Sequence, residues 1–78
     1  MSYGANDIHD IHNFDITMDD LIKNAKKETL IGIDISGSSK EYNLKIIEEY
    51  LEKHPNISLS YDRYHDLTKK HELYFSVK

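Results

Sequence analysis

The stretch TLIGIDIS at 29–36 constrains this chain more than any other, because Leu30, Ile31, Ile33 and Ile35 crowd aliphatic side chains into a run of strand length. Successive side chains of a strand point to opposite faces, so a run this apolar belongs inside a sheet rather than at its surface. Its β-branched residues suit a pleated backbone. The rest of a 78-residue chain must then be built around that strand. A domain of this size buries only about 60–65% of the surface its unfolded chain exposes, which leaves room for one small core.

The flanking segments supply what the strand needs. TMDDLIKNAKK opens with Thr17, has Asp20 three residues on, and places Met18, Leu21, Ile22 and Ala25 on one helical face, which predicts a short amphipathic helix over 18–28. After the strand, Ser38 with Glu41 forms a second capping signature, and Tyr42, Ile46, Ile47, Tyr50 and Leu51 line one face up to Pro55, predicting a helix over about 39–53. NISLSYDRY alternates with Ile57, Leu59 and Tyr61 on one side, and ELYFSVK with Leu73, Phe75 and Val77, so the end of the chain reads as a hairpin closed by the polar run from His65 to His71. Upstream, HNFDI at 12–16 also alternates and suits a short strand. Residues 1–10 read as a mobile acidic arm, and 11–78 as a single domain. The expected fold class is α+β with an α/β-like order, (β)-α-β-α-β-β: a small mixed sheet of three or four strands with two helices on one face.

Charge and composition narrow the function classes. Cysteine is absent, which removes disulfide frameworks, thiolate zinc sites and cysteine nucleophiles, and favours a cytoplasmic setting. The start MSYGANDIHD shows no basic region followed by an apolar one, and no apolar run approaches the roughly 20 residues of a membrane span. The net charge of -4 is uneven: five aspartates and no lysine or arginine occupy residues 1–22, while residues 53–78 lean basic. Such asymmetry supports partner binding or self-association, and the N-terminal strand is one candidate for pairing between two copies. The Lys, Ile, Asn and Tyr content is of the kind encoded by low-GC bacteria, phages or other mobile elements.

Three stretches could carry chemistry. Asp34, Ser36 and Ser38 form Asp-x-Ser-x-Ser at the end of the buried strand and directly before a helix. One carboxylate and two hydroxyls are hard oxygen ligands suited to Mg²⁺, the one cofactor the sequence suggests, and the helix N-terminus behind them favours an anion. Equally, Ser36 or Ser38 can cap that helix, with Gly37 permitting the turn. IGIDISGSS resembles the first strand and helix of von Willebrand factor A-type domains, over residues 29–53. The resemblance implies a metal-ion-dependent adhesion site in which Asp34, Ser36 and Ser38 sit near the metal; the family's further ligands come from later loops that this short chain has little room to supply.

The hairpin segment SYDRYHDLTKKHELYF interleaves Tyr61, Arg63, Tyr64 and His65 with lysines, a mixture found at protein interfaces and at nucleic-acid surfaces alike. The acidic residues among them, and the acidic chain, favour a protein partner over nucleic acid. DIHDIH at 7–12 offers His9 and His12, which face apart in a strand and could share a metal only across a bend. No nucleophile elbow, HExxH or P-loop occurs, so no catalytic residue is assigned. The expectation is a small non-catalytic binding or regulatory protein that contacts another protein through Tyr61, Arg63, Tyr64 and His65. The alternatives are Mg²⁺-dependent binding at 34–38 and nucleic-acid binding through the hairpin.

Overall fold

Strand β2 (Leu30–Ser36) lies where its composition demands, between two neighbours. A computed structural model describes the chain over residues 6–37 and 39–78. Around β2 it places β1 (Asn6–Ile8), α1 (Phe14–Lys23) entered through a 3-10 turn at Ile11–Asn13, α2 (Lys40–Lys53), β3 (Ile57–His65) and β4 (Lys70–Val77). The sheet order is β1-β2-β4-β3. β1 is parallel to β2, and β4 is antiparallel to both β2 and β3, so β4 returns between two strands that share a direction. The α+β class read from the sequence is thereby shown, with four strands in the mixed sheet.

Both helices cover the same face. Phe14 and Met18 from α1 and Ile47 and Tyr50 from α2 join one core with Ile31, Ile33 and Ile35 of β2 and Leu73, Phe75 and Val77 of β4. Across the ladder Ile31 faces Phe75 and Ile33 faces Leu73. Phe14 is the junction of the three layers of contact: its ring meets Tyr50 edge-on at 5.3 Å and Phe75 at 5.5 Å.

The N-terminal part departs from the sequence expectation. HNFDI is not a strand: residues 11–13 form the 3-10 turn and α1 starts at Phe14 rather than at 18, ending at Lys23 rather than 28. The physical reason is in the burial. Ile11, Phe14 and Met18 are buried at helical spacing, whereas Ile16, which alternation would pair with Phe14, is exposed. Five alternating residues are too few to compete with a longer 3.6-residue period. The sheet's first strand lies earlier, with Asn6, Asp7 and Ile8 opposite Ile33, Asp34 and Ile35. From residue 6 onward the expected arm is therefore part of the sheet, while residues 1–5 lie outside the described residues.

At the second helix the cap is Ser39, whose hydroxyl accepts from the Tyr42 N–H at 3.2 Å, and not Ser36 or Ser38. Ser36 is still within β2, paired with Lys70, and Ser38 lies outside the described residues. Gly37 turns the chain in the left-handed region (φ 80°), where a side chain is disfavoured.

Strand β3 carries the feature that decides the site. Leu59 pairs with Phe75 and Tyr61 with Tyr74, so Ser60 is an extra residue, a β-bulge. The face that begins Ile57, Leu59 does not continue to Tyr61. Past the bulge the inward positions are Asp62 and Tyr64, and the outward ones are Tyr61, Arg63 and His65.

Candidate interaction site

Among the described residues nothing covers the face of the sheet opposite the helices, and the register lays out what it displays. One row across the strands reads Asp7, Asp34, Glu72, Arg63; the next reads Gly32, Tyr74, Tyr61. Leu30 and Ser36 lie at the two ends of the same side of β2, and Lys70 and His65 continue the surface towards the hairpin tip. Tyr61, 41% exposed, meets Tyr74 edge-on with ring centroids 5.6 Å apart. Such a pair adds cross-strand stability, yet leaves Tyr61 partly open to solvent. Ser60 and Ser76 join their hydroxyls beside it.

The charged row is a compromise. His65 Nε2 lies 3.2 Å from Glu72 Oε1, and Arg63 faces Glu72 across the ladder. Asp34 has no such cross-strand cation. Partial burial first, then the like charges of Glu72 and Asp7, push its carboxyl above the ordinary value of 3.8, against the weaker opposing pull of Lys70 and His65.

Of the four residues expected to meet a partner, the structure brings Tyr61, Arg63 and His65 together on this face and turns Tyr64 to the other. Tyr64 is half-buried on the helix side, its ring edge-on to His71 at 5.6 Å. Of the three residues expected near a metal, Asp34 and Ser36 share the uncovered face. They stand two positions apart in an extended strand, with Cα atoms about 7 Å from one another. Among the described residues no group of three or more His, Asp or Glu side chains could hold a metal ion.

Two polar clusters were not foreseen. Behind the sheet's charged row, His71 continues the inward stripe of β4 and is 0% exposed, as is Asn43 on α2. Asn43 Nδ2 donates to His71 Nδ1 at 3.2 Å, and His71 Nε2 donates to the Asp62 carboxylate. That order uses the neutral imidazole with its proton on Nε2, and it leaves Asn43 Oδ1 buried without a partner. The signal was available: His71, Leu73, Phe75 and Val77 are evenly spaced, and only the polarity of histidine hid the first of them. One ring nitrogen is held by α2 and the other by Asp62 of β3, so the cluster pins α2 to the hairpin.

The second cluster lines a groove of about 570 Å³ between α1 and α2. At one end the Tyr42 hydroxyl and His12 Nε2 share a hydrogen bond of 2.9 Å. At the other, the Tyr50 hydroxyl donates to Asp19 at 2.8 Å, and His54 stacks on the Tyr50 ring at 4.0 Å. Burial, with the bond to Asp19, pushes the Tyr50 phenol well above its ordinary value and keeps it a donor. His12 is thus occupied by a tyrosine, and His9, at the other end of the repeated triplet, is exposed. What DIHDIH contributes to the fold is Ile8 and Ile11, both buried.

No helix of the described residues is long and apolar enough to cross a membrane. Compared with protein-family models, with curated proteins and with solved structures, the chain matches none of them.

Proposed function

We propose that the chain is a small binding protein that contacts another protein through the uncovered face of its sheet, with Tyr61 and Arg63 as anchors and His65 at the margin. One observation carries the reading: Tyr61, exposed and paired with a half-buried Tyr74, stands next to an arginine on a face that no helix of the described residues covers. Tyrosine and arginine dominate the energetics of protein interfaces, because each presents much apolar area together with polar atoms that can be satisfied across the contact. The bulge at Ser60 supports it, since a regular strand would have turned Tyr61 inward against Leu73. The test is crosslinking and pull-down in cells of the source with wild type, a Tyr61→Ala/Arg63→Ala variant, and Tyr42→Ala on the helical layer as control. A partner retained by the control and lost by the double variant supports the reading; a partner that survives the double variant sinks it.

A second reading keeps Mg²⁺ at Asp34, Ser36 and Ser38, favoured by the sharing of one face by Asp34 and Ser36 and by the like charges crowding Asp34. A cation bound only by the native state raises the thermal midpoint. Millimolar Mg²⁺ that raises it in wild type and not in Asp34→Ala supports this reading. An unchanged wild-type midpoint ends it.

A further inference from the structure

The β3–β4 hairpin closes through Asp66, Leu67, Thr68 and Lys69, and Leu67 is 99% exposed. A single leucine in water is common on protein surfaces, so exposure alone says little. Its setting says more. The turn is tied at its base: the Lys69 N–H donates to the His65 carbonyl at 2.8 Å, and the Lys69 carbonyl accepts from the Gly37 N–H at 3.3 Å. Lys69 holds a left-handed backbone (φ 58°), as a four-residue hairpin loop requires at its end. An aliphatic side chain on a turn braced against β2 is held out from the core. It adds nothing to the stability of the fold at a place where small polar turn formers are the ordinary choice.

In the turn itself two lysines outnumber one acid, while Glu72 of β4 is taken up by His65. Lys69 and Lys70 flank the leucine on the β4 side, with His65 at the foot of the turn and Asp66 the one acid of the loop. The tip also prolongs the outward line Tyr61, Arg63, His65 along β3. We infer that Leu67 is a further anchor of that interface, beyond Tyr61 and Arg63: it enters an apolar pocket on a partner protein, whose rim carries carboxylates that face Lys69 and Lys70. This rests on the proposed protein-binding function and adds to it the contact point and the chemistry of the partner. A lipid surface fits less well, since one leucine beside an aspartate buries far less apolar area than stable membrane attachment needs.

The experiment places a photo-crosslinking amino acid at position 67, at position 61 and, as control, at position 42, each in the full chain expressed in cells of the source. The crosslinked protein is identified with its point of attachment. Its affinity is then measured in purified form for wild type, Leu67→Ala and Lys69→Glu/Lys70→Glu. Leu67 touches nothing in its own fold, so Leu67→Ala should keep the wild-type thermal midpoint. Expected are attachment from position 67 within an acid-rimmed apolar pocket, a loss of about 10- to 100-fold in affinity for Leu67→Ala, and slower, less salt-dependent association for the double lysine variant. A partner crosslinked from 61 and bound equally well by Leu67→Ala overturns the anchor while leaving the sheet-face reading intact. No crosslink from either position overturns both. Crosslinks to a second copy of the chain with a doubled mass in sedimentation, or Leu67-dependent sedimentation with phosphatidylserine vesicles, overturn the partner named here.

Discussion

Asp34 shows how a single side chain can be placed at a cost to the fold. Its carboxyl is held above its ordinary value, so the native state binds that proton more tightly than the unfolded chain does. The charged form therefore costs stability at every pH above the raised folded value. The cost shrinks as pH falls through that value and is gone below the unfolded value near 3.8. Asp34→Asn should accordingly raise the thermal midpoint at pH 7, with the gain over wild type vanishing in scans carried down to pH 3. His71 poses the opposite case, a polar group that the interior needs. His71→Ala removes the partner of both Asn43 and Asp62 and opens a cavity, at a cost of about 2–4 kcal/mol. In urea titrations the midpoint should drop by that amount at constant slope, and Asn43→Leu/His71→Leu should recover part of it by removing both buried polar groups together.

At the scale of elements, the bulge in β3 and the cap of α2 are the decisive details. Ser60 is the residue with no partner across the ladder, so its deletion leaves Leu59 opposite Phe75 and Tyr61 opposite Tyr74. Deleting Ser60 should preserve the fold at a cost of about 1 kcal/mol, roughly the worth of the Ser60–Ser76 hydrogen bond. Deleting Asp62 instead brings Arg63 inward opposite Leu73 and should unfold the hairpin, seen as collapsed amide dispersion in NMR spectra. Ser39→Ala should cost about 1 kcal/mol by leaving a helix N–H unsatisfied. Ser36→Ala should leave the helix unaffected, which separates the capping serine from its neighbours in SGSS. None of this was legible locally: three serines in four positions are chemically equivalent until the chain direction selects one.

For the whole molecule, one layer of helices on one face of a four-stranded sheet produces a strong asymmetry of tolerance. Phe14→Ala, at the meeting of α1, Tyr50 and Phe75, should cost about 3–5 kcal/mol, a large part of the roughly 4–12 kcal/mol expected for a domain of this length. Tyr61→Ala on the uncovered face should cost only about 0.5–1 kcal/mol, the value of a cross-strand pair. Chemical denaturation of the two variants side by side checks the contrast, and the mild one is the variant usable in binding assays. By itself the sequence determined β2, the span of α2, the strands of the hairpin and the α+β class, because strong apolar periods and capping residues act over a few neighbours. Only the tertiary structure decided that Phe14 serves a helix and not a strand, that Asn6–Ile8 joins the sheet, and that Ser60 is extra. Each of those outcomes depends on which distant residues are buried together. The outward Tyr61 and Arg63 and the inward Asp62 and Tyr64 follow from that one bulge, since in a strand a shift of a single residue exchanges the faces of everything after it.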